Sequence, residues 1–135
     1  MANDEIAERV AAMHAADVAA HELGIRLVAS SAGTAQVELV VTEAHLGSHG
    51  QLHGGVLFTL ADVAMSYAGN SRGGTSVAIR AAIDYVDGAK VGDRLVAAAT
   101  EHSLRGKAGI YDVTICAADD DRLVATFRGN TLRIS

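Results

Sequence analysis

The sequence predicts an α+β fold in which a largely antiparallel, six-stranded sheet wraps around one central buried helix, with a second helix at the N-terminus. Three observations lead there. The stretch from Val56 to Ser71 carries apolar or small residues on every side and a single charge, Asp62. Six other stretches alternate apolar and polar residues with a period of two, separated by Gly or Asp turns. The order is helix, two strands, buried helix, four strands, and short turns between consecutive strands favour antiparallel neighbours.

The elements follow in order. Asn3 is placed to cap a helix with Asp4 and Glu5 in its first turn, and Ile6, Val10, Met13 and Val18 recur at roughly helical spacing. This helix is expected to run to near Gly24. From Ile25 the period changes: Ile25, Leu27 and Ala29 alternate with Arg26, Val28 and Ser30, and Ser31 to Gly33 offer a turn. In the next strand Ala35, Val37, Leu39 and Val41 face one way while Thr34, Gln36 and Glu38 face the other. A Gly- and His-rich loop from Thr42 to Leu52 then enters the buried helix through His53, Gly54 and Gly55. Gly69, Gly73 and Gly74 stop that helix. Strands are expected from Thr75 to Val86, Arg94 to Leu104, Ala108 to Ala117 and Leu123 to Ile134, the last with a glycine irregularity at Gly129. The run Asp119 to Asp121 reads as a solvated turn.

At 135 residues, positions 1–135 fit one domain. Half of the residues are hydrophobic, but aromatics are 4% and Trp and Pro are absent, so Ala and Val must build the core. Small side chains fill it only if helix and sheet approach closely or if further surface is buried against other subunits. A net charge of −5 argues against a nucleic-acid partner. No apolar run is long enough for a membrane span or signal peptide, which points to a cytoplasmic protein without a membrane partner. The single cysteine, Cys116, lies in a predicted strand and reads as a small structural hydrophobe.

A carboxylate on an apolar helix must be offset by an ion pair, hydrogen bonds, protonation or a functional role. Arg80 is the candidate for a plain ion pair. The residues upstream favour chemistry instead. Gly54 and Gly55 open the helix, where unpaired backbone N–H groups meet the positive end of the dipole and can hold a developing oxyanion. Eight residues separate Gly54 from Asp62, about 12 Å on a helix rising about 1.5 Å per residue. One carbonyl cannot reach both, so the two groups are expected to come from different subunits.

The segment HGGVLFTLADVAMSY (His53 to Tyr67), followed by GNSRG (Gly69 to Gly73), AAIDYV (Ala81 to Val86), GDRL (Gly92 to Leu95), GKAGIYDV (Gly106 to Val113) and FRG (Phe127 to Gly129), resembles the PaaI-type phenylacetyl-coenzyme A thioesterases of the hotdog fold. The resemblance implies hydrolysis of acyl-coenzyme A esters by a homodimer or homotetramer with shared sites, coenzyme A being part of the substrate and no cofactor required. It implies that Asp62 is the catalytic carboxylate, as general base or nucleophile, that Gly54 gives the oxyanion N–H and that His53 braces the loop and polarises the carbonyl. Asn70, Ser76 and the stretch from Asp84 to Asp87, Tyr85 included, are expected near the pantetheine or acyl part, and Gly55 is expected to contact substrate. Arg105 and Lys107, in the turn around Gly106, are expected near the nucleotide phosphates, with Arg72 and Arg128 as weaker candidates. One position departs from the pattern: similar enzymes carry Asn where this chain has Gly47, and Ser48, His49 or Gln51 are the neighbours that could substitute.

Other chemistries find less support. His45, His49 and His53 would align on a helix as zinc ligands, but Gly47 and Gly50 argue against a helix there, so no metal is expected. No nucleophile elbow, Walker lysine or dinucleotide glycine pattern is present. Two rival readings keep the fold: a hydratase or dehydratase acting on acyl thioesters, and a non-catalytic acyl-coenzyme A binding module.

Overall fold

The protein is described from a computed structural model of residues 1–135. Its elements run α1 (Asn3–Ala16), α2 (Val18–Leu23), β1 (Arg26–Ser31), β2 (Thr34–Val40), a 3₁₀ turn (Glu43–His45), α3 (Gly54–Gly69), β3 (Ser76–Tyr85), β4 (Arg94–Arg105), β5 (Ala108–Ala117) and β6 (Arg122–Arg133). The strands form one sheet in the order β1-β2-β4-β5-β6-β3, and every neighbouring pair is antiparallel. This is the expected fold. The curved sheet holds α3 against β2, β4 and β5.

The period-two pattern decides what faces the helix. Ala35, Val37 and Leu39 on β2, Leu95, Ala97 and Ala99 on β4, and Tyr111, Val113 and Ile115 on β5 are all buried. They meet Leu57, Leu60, Ala61, Ala64 and Ala68 of α3, and alanine on both surfaces is what lets helix and sheet approach. The two phenylalanines pair edge to face, Phe58 of α3 on Phe127 of β6, with ring centroids 5.4 Å apart.

Four details differ from the sequence reading. The first helix is two. Asp17 leaves the helical region at φ −83°, ψ 89° and caps α2 instead, its side chain accepting from the Ala20 N–H at 3.1 Å. Ala2, not Asn3, occupies the N-cap of α1, with no side-chain cap, while Asp4 and Glu5 do fall in the first turn. The alternation in β1 is broken at Val28, which the pairing with β2 skips, so Leu27 and Ser30 rather than Leu27 and Ala29 turn partly inward. Gly129 marks no irregularity: Tyr111 and Ala81 flank it in regular register. Its missing side chain serves packing, because a Cβ there would collide with the Met65 thioether.

Candidate active site

The Thr42 to Leu52 loop delivers the chain to α3 through fixed contacts. His45 is buried; its Nδ1 accepts from the Thr42 N–H at 2.9 Å and its Nε2 donates to the Leu23 carbonyl at 2.7 Å. With both ring nitrogens engaged, His45 is a brace and not a metal ligand. Leu46 bridges Leu52, and the His53 N–H donates to the His45 carbonyl at 2.9 Å. The loop thereby sets where α3 begins.

At that start the backbone donors are distributed unequally. The Gly55 N–H goes to His53 Nδ1 at 2.8 Å, and the Val56 N–H goes to the His53 carbonyl at 3.0 Å. The Gly54 N–H has no acceptor within the chain. One amide at the positive end of a 16-residue helix is therefore left to bind something else. Because His53 Nδ1 accepts, the ring presents its N–H on Nε2, and the residue is exposed at the entrance to α3.

Tyr85, at the end of β3, lies across this entrance. Its hydroxyl donates to the Gly54 carbonyl at 3.1 Å, and a Cβ on Gly54 would stand 3.1 Å from the ring. Tyr85 therefore packs directly on Gly54, and any side chain at 54 would have to displace its ring by a few tenths of an ångström.

Asp62 sits two turns further along α3. The helix is buried on most sides, but Gly55, Thr59, Asp62 and Ser66 form one stripe that stays partly or fully open. Asp62 makes no hydrogen bond and no ion pair within the chain. The ion pair with Arg80 is absent: Arg80 is exposed on β3 opposite Asn130. Burial, and second the charge of Asp17, push the Asp62 carboxyl above the usual carboxylate range.

The remaining expected residues scatter. Ser76 and Lys107 line a cleft of about 100 Å³ at the C-terminal end of α3, together with Arg72, Tyr111 and Arg133. Arg133 was not singled out by sequence because it sits in a strand end with no motif around it. Arg72 is held by Glu101. Arg105 is exposed beside the cleft without lining it. Asn70 is buried and its amide is committed to the backbone: Oδ1 accepts from the Ser76 N–H at 2.8 Å while Nδ2 donates to the carbonyls of Ser66 and Ser76. Asn70 thus orients Ser76.

Asp84 is not brought to the site. It follows the alternation of β3 onto the outer sheet face, opposite to Tyr85, near Arg128 and Asp112, which bind each other at 2.6 Å. At Gly47, a Cβ would face the His53 ring at 3.5 Å, so the departing position adjoins the motif histidine. Gln51 does not stand in for an Asn there, since its amide lies against Gly88.

Residues 49–124 match the family model described as the thioesterase superfamily, and the chain belongs to that superfamily. The acyl-coenzyme A thioesterase PaaI of Escherichia coli K12 is 39% identical over 91% of this chain and 87% of its own length. The structure of the E. coli PaaI protein from the phenylacetic acid degradation operon superposes with a TM-score of 0.95 at 36% identity, covering 98% of this chain and 96% of that one. A variant of the phenylacetic acid degradation protein PaaI of Thermus thermophilus gives a TM-score of 0.84 at 35% identity, covering 87% of this chain and 100% of that one. Within its superfamily the chain has the hotdog fold and is similar to the acyl-coenzyme A thioesterase PaaI.

Proposed function

We propose that the protein hydrolyses aryl-acyl coenzyme A esters, phenylacetyl- or hydroxyphenylacetyl-coenzyme A foremost, in the cytoplasm, at sites shared between the subunits of a homodimer or homotetramer. The observation that carries the reading is the separation of two unsatisfied groups on one helix, the Gly54 N–H and the Asp62 carboxylate. Eight residues set them about 12 Å apart. A substrate carbonyl bound to Gly54 of one subunit then meets Asp62 of another.

The chemistry follows from that pairing. The thioester oxygen accepts from the Gly54 N–H, with His53 Nε2–H as a second donor, so charge developing on oxygen is stabilised where no reorganisation is needed. Asp62 either removes a proton from a water that attacks the carbonyl carbon or attacks directly to form an anhydride that water opens. The C–S bond breaks in both cases, and acid and free thiol leave. No cofactor is required. Tyr85 gives the acyl group an aromatic wall beside Gly54, and Ser76 and Lys107 receive the pantetheine and phosphate end.

The edge strand β3 supports the oligomer. It pairs only with β6, and it exposes Val77 by 41% and Ile79 by 60%. An open apolar edge of ten residues is costly unless a second strand covers it, and β3 of another copy would extend the sheet.

Thiol release measured across phenylacetyl, hydroxyphenylacetyl, benzoyl and medium-chain acyl thioesters tests substrate and class together. The aryl esters should give the highest kcat/KM, and Lys107→Ala should raise KM several-fold for coenzyme A esters while sparing a truncated pantetheine thioester. Absence of thiol release with every ester, despite binding, would instead leave a binding module or a hydratase.

A further inference from the structure

The N-terminal helix reaches the C-terminal end of α3, and the hydrolysis derived above does not use it. α3 has no basic residue in its last turn, so nothing on that helix answers the partial negative charge of its final carbonyls. Arg9 of α1 supplies the cation. Ile6 and Val10, both buried, anchor α1 on either side of the half-buried Arg9. Arg9 Nε donates to the Asn70 carbonyl at 2.7 Å, and its Nη2 donates to the Gly74 carbonyl. One planar guanidinium therefore ties together the two ends of the segment from Asn70 to Gly74.

That segment forms one wall of the cleft at the end of α3. Arg72 and Gly73 line the cleft from within the segment, and Ser76 lines it just beyond, its N–H held by Asn70 Oδ1 at 2.8 Å. Arg133 leans on the segment from β6: a Cβ on Gly74 would stand 2.5 Å from its Nε. Ser71 secures the first part, its hydroxyl donating to the Ala68 carbonyl and accepting from the Gly33 N–H. The second part is looser. Gly73 and Gly74 both have positive φ, 109° and 69°, and the Gly73 N–H reaches the Asn70 carbonyl only at 3.3 Å. Two consecutive glycines have many other conformations open to them, and the bonds from Arg9 select this one.

We infer that Arg9 is a positioning residue for this cleft: it holds the Asn70 to Gly74 segment in the shape that lets Arg72, Ser76, Lys107 and Arg133 converge on the nucleotide end of a coenzyme A ester. The inference rests on the proposed function, which places that end of the substrate in the cleft. Arg9 does not line the cleft, so it acts through the backbone it binds and not by touching substrate. It also lies outside residues 49–124, which match the family model. The reacting groups are remote from it. Along α3, Gly69 at the cleft is fifteen residues from Gly54 and seven from Asp62, about 22 Å and about 10 Å at about 1.5 Å per residue. Loss of Arg9 is therefore felt in binding of the nucleotide end before it is felt in the chemical step.

The test compares KM and kcat for phenylacetyl-coenzyme A and for the same acyl group on a truncated pantetheine thioester, in wild type, Arg9→Gln, Arg9→Lys and Lys107→Ala, beside amide hydrogen exchange. Arg9→Gln removes the charge and the planar fork, so KM for the coenzyme A ester should rise several-fold while kcat and the truncated thioester stay within about twofold of wild type. Arg9→Lys keeps the charge without the fork and should fall between the two. The Gly73 and Ser76 amides should exchange faster in Arg9→Gln, while those in the middle of α3 keep their protection. Should Arg9→Gln fail to fold, Arg9→Lys carries the same comparison with a smaller rise, and a wild-type KM there overturns the inference. Equal losses on both substrates in folded Arg9→Gln, or no loss on either, also overturn it and leave Arg9 a helix cap. Lys107→Ala separates the two ideas. If it raises KM selectively and Arg9→Gln does not, only the role of Arg9 falls; if neither does, the cleft does not take the nucleotide end and both fall.

Discussion

Asp62 combines two properties that pull in opposite directions. It is buried enough to be driven above the usual carboxylate range, and no partner in the chain stabilises its charge. A carboxyl whose folded-state value is raised holds its proton more tightly in the folded than in the unfolded chain. It therefore detracts from stability as pH rises above the ordinary carboxylate range, and the penalty vanishes in acid, where both states are protonated. Asp62→Asn should thus lower kcat by at least about 10² while raising unfolding stability at neutral pH, a gain that shrinks on acidification. Calorimetric melts at several pH values beside thiol-release assays check both halves; an Asn variant less stable at neutral pH would mean that Asp62 has a structural partner. This residue was legible in the sequence because a lone charge on an apolar helix is an anomaly. Arg9 was not, because a single base among the polar N-terminal residues carries no anomaly until folding sets it against the Asn70 and Gly74 carbonyls. Asp84 illustrates the converse: it sits in a matching motif beside Tyr85, yet neighbours in a strand point to opposite faces.

At the level of elements, periodicity located each strand to within a residue or two at its ends, because one buried face leaves no freedom in which residues point inward. What it missed were interruptions. The break at Asp17 lies inside a run of helix-forming alanines and is set by the capping contacts of one side chain. Val28 looks like an ordinary strand residue, and only pairing with β2 reveals it as the extra residue of a bulge. Gly129 invited a reading as a bulge but answers to packing from α3. Gly129→Ala should force the buried Met65 side chain to repack and cost about 1–3 kcal/mol, with the strand register retained. Chemical denaturation measures the loss, and Met65→Ala in the same chain should recover part of it by supplying room. No recovery would mean that glycine is needed at 129 for the backbone itself.

For the whole molecule, three features remain open within one chain, and the proposed assembly would bring them to a common site. The Gly54 N–H lacks an acceptor, Asp62 lacks a donor, and β3 lacks a strand on its outer side. Mixing two inactive variants tests that account most directly. Asp62→Asn removes the carboxylate. Gly54→Pro removes the N–H at the first helical position, where proline is tolerated and where His53 already has the extended backbone, φ −64° and ψ 133°, that proline requires of its predecessor. The half-exposed Tyr85 ring can swing aside for the new side chain. In a mixed dimer one site inherits both defects and the other neither. Random reassortment makes half of the dimers mixed, so co-refolding should restore roughly a quarter of wild-type hydrolysis. Mixed dimers that are confirmed by mass spectrometry of differently tagged chains and yet show no restored thiol release would contradict the shared site.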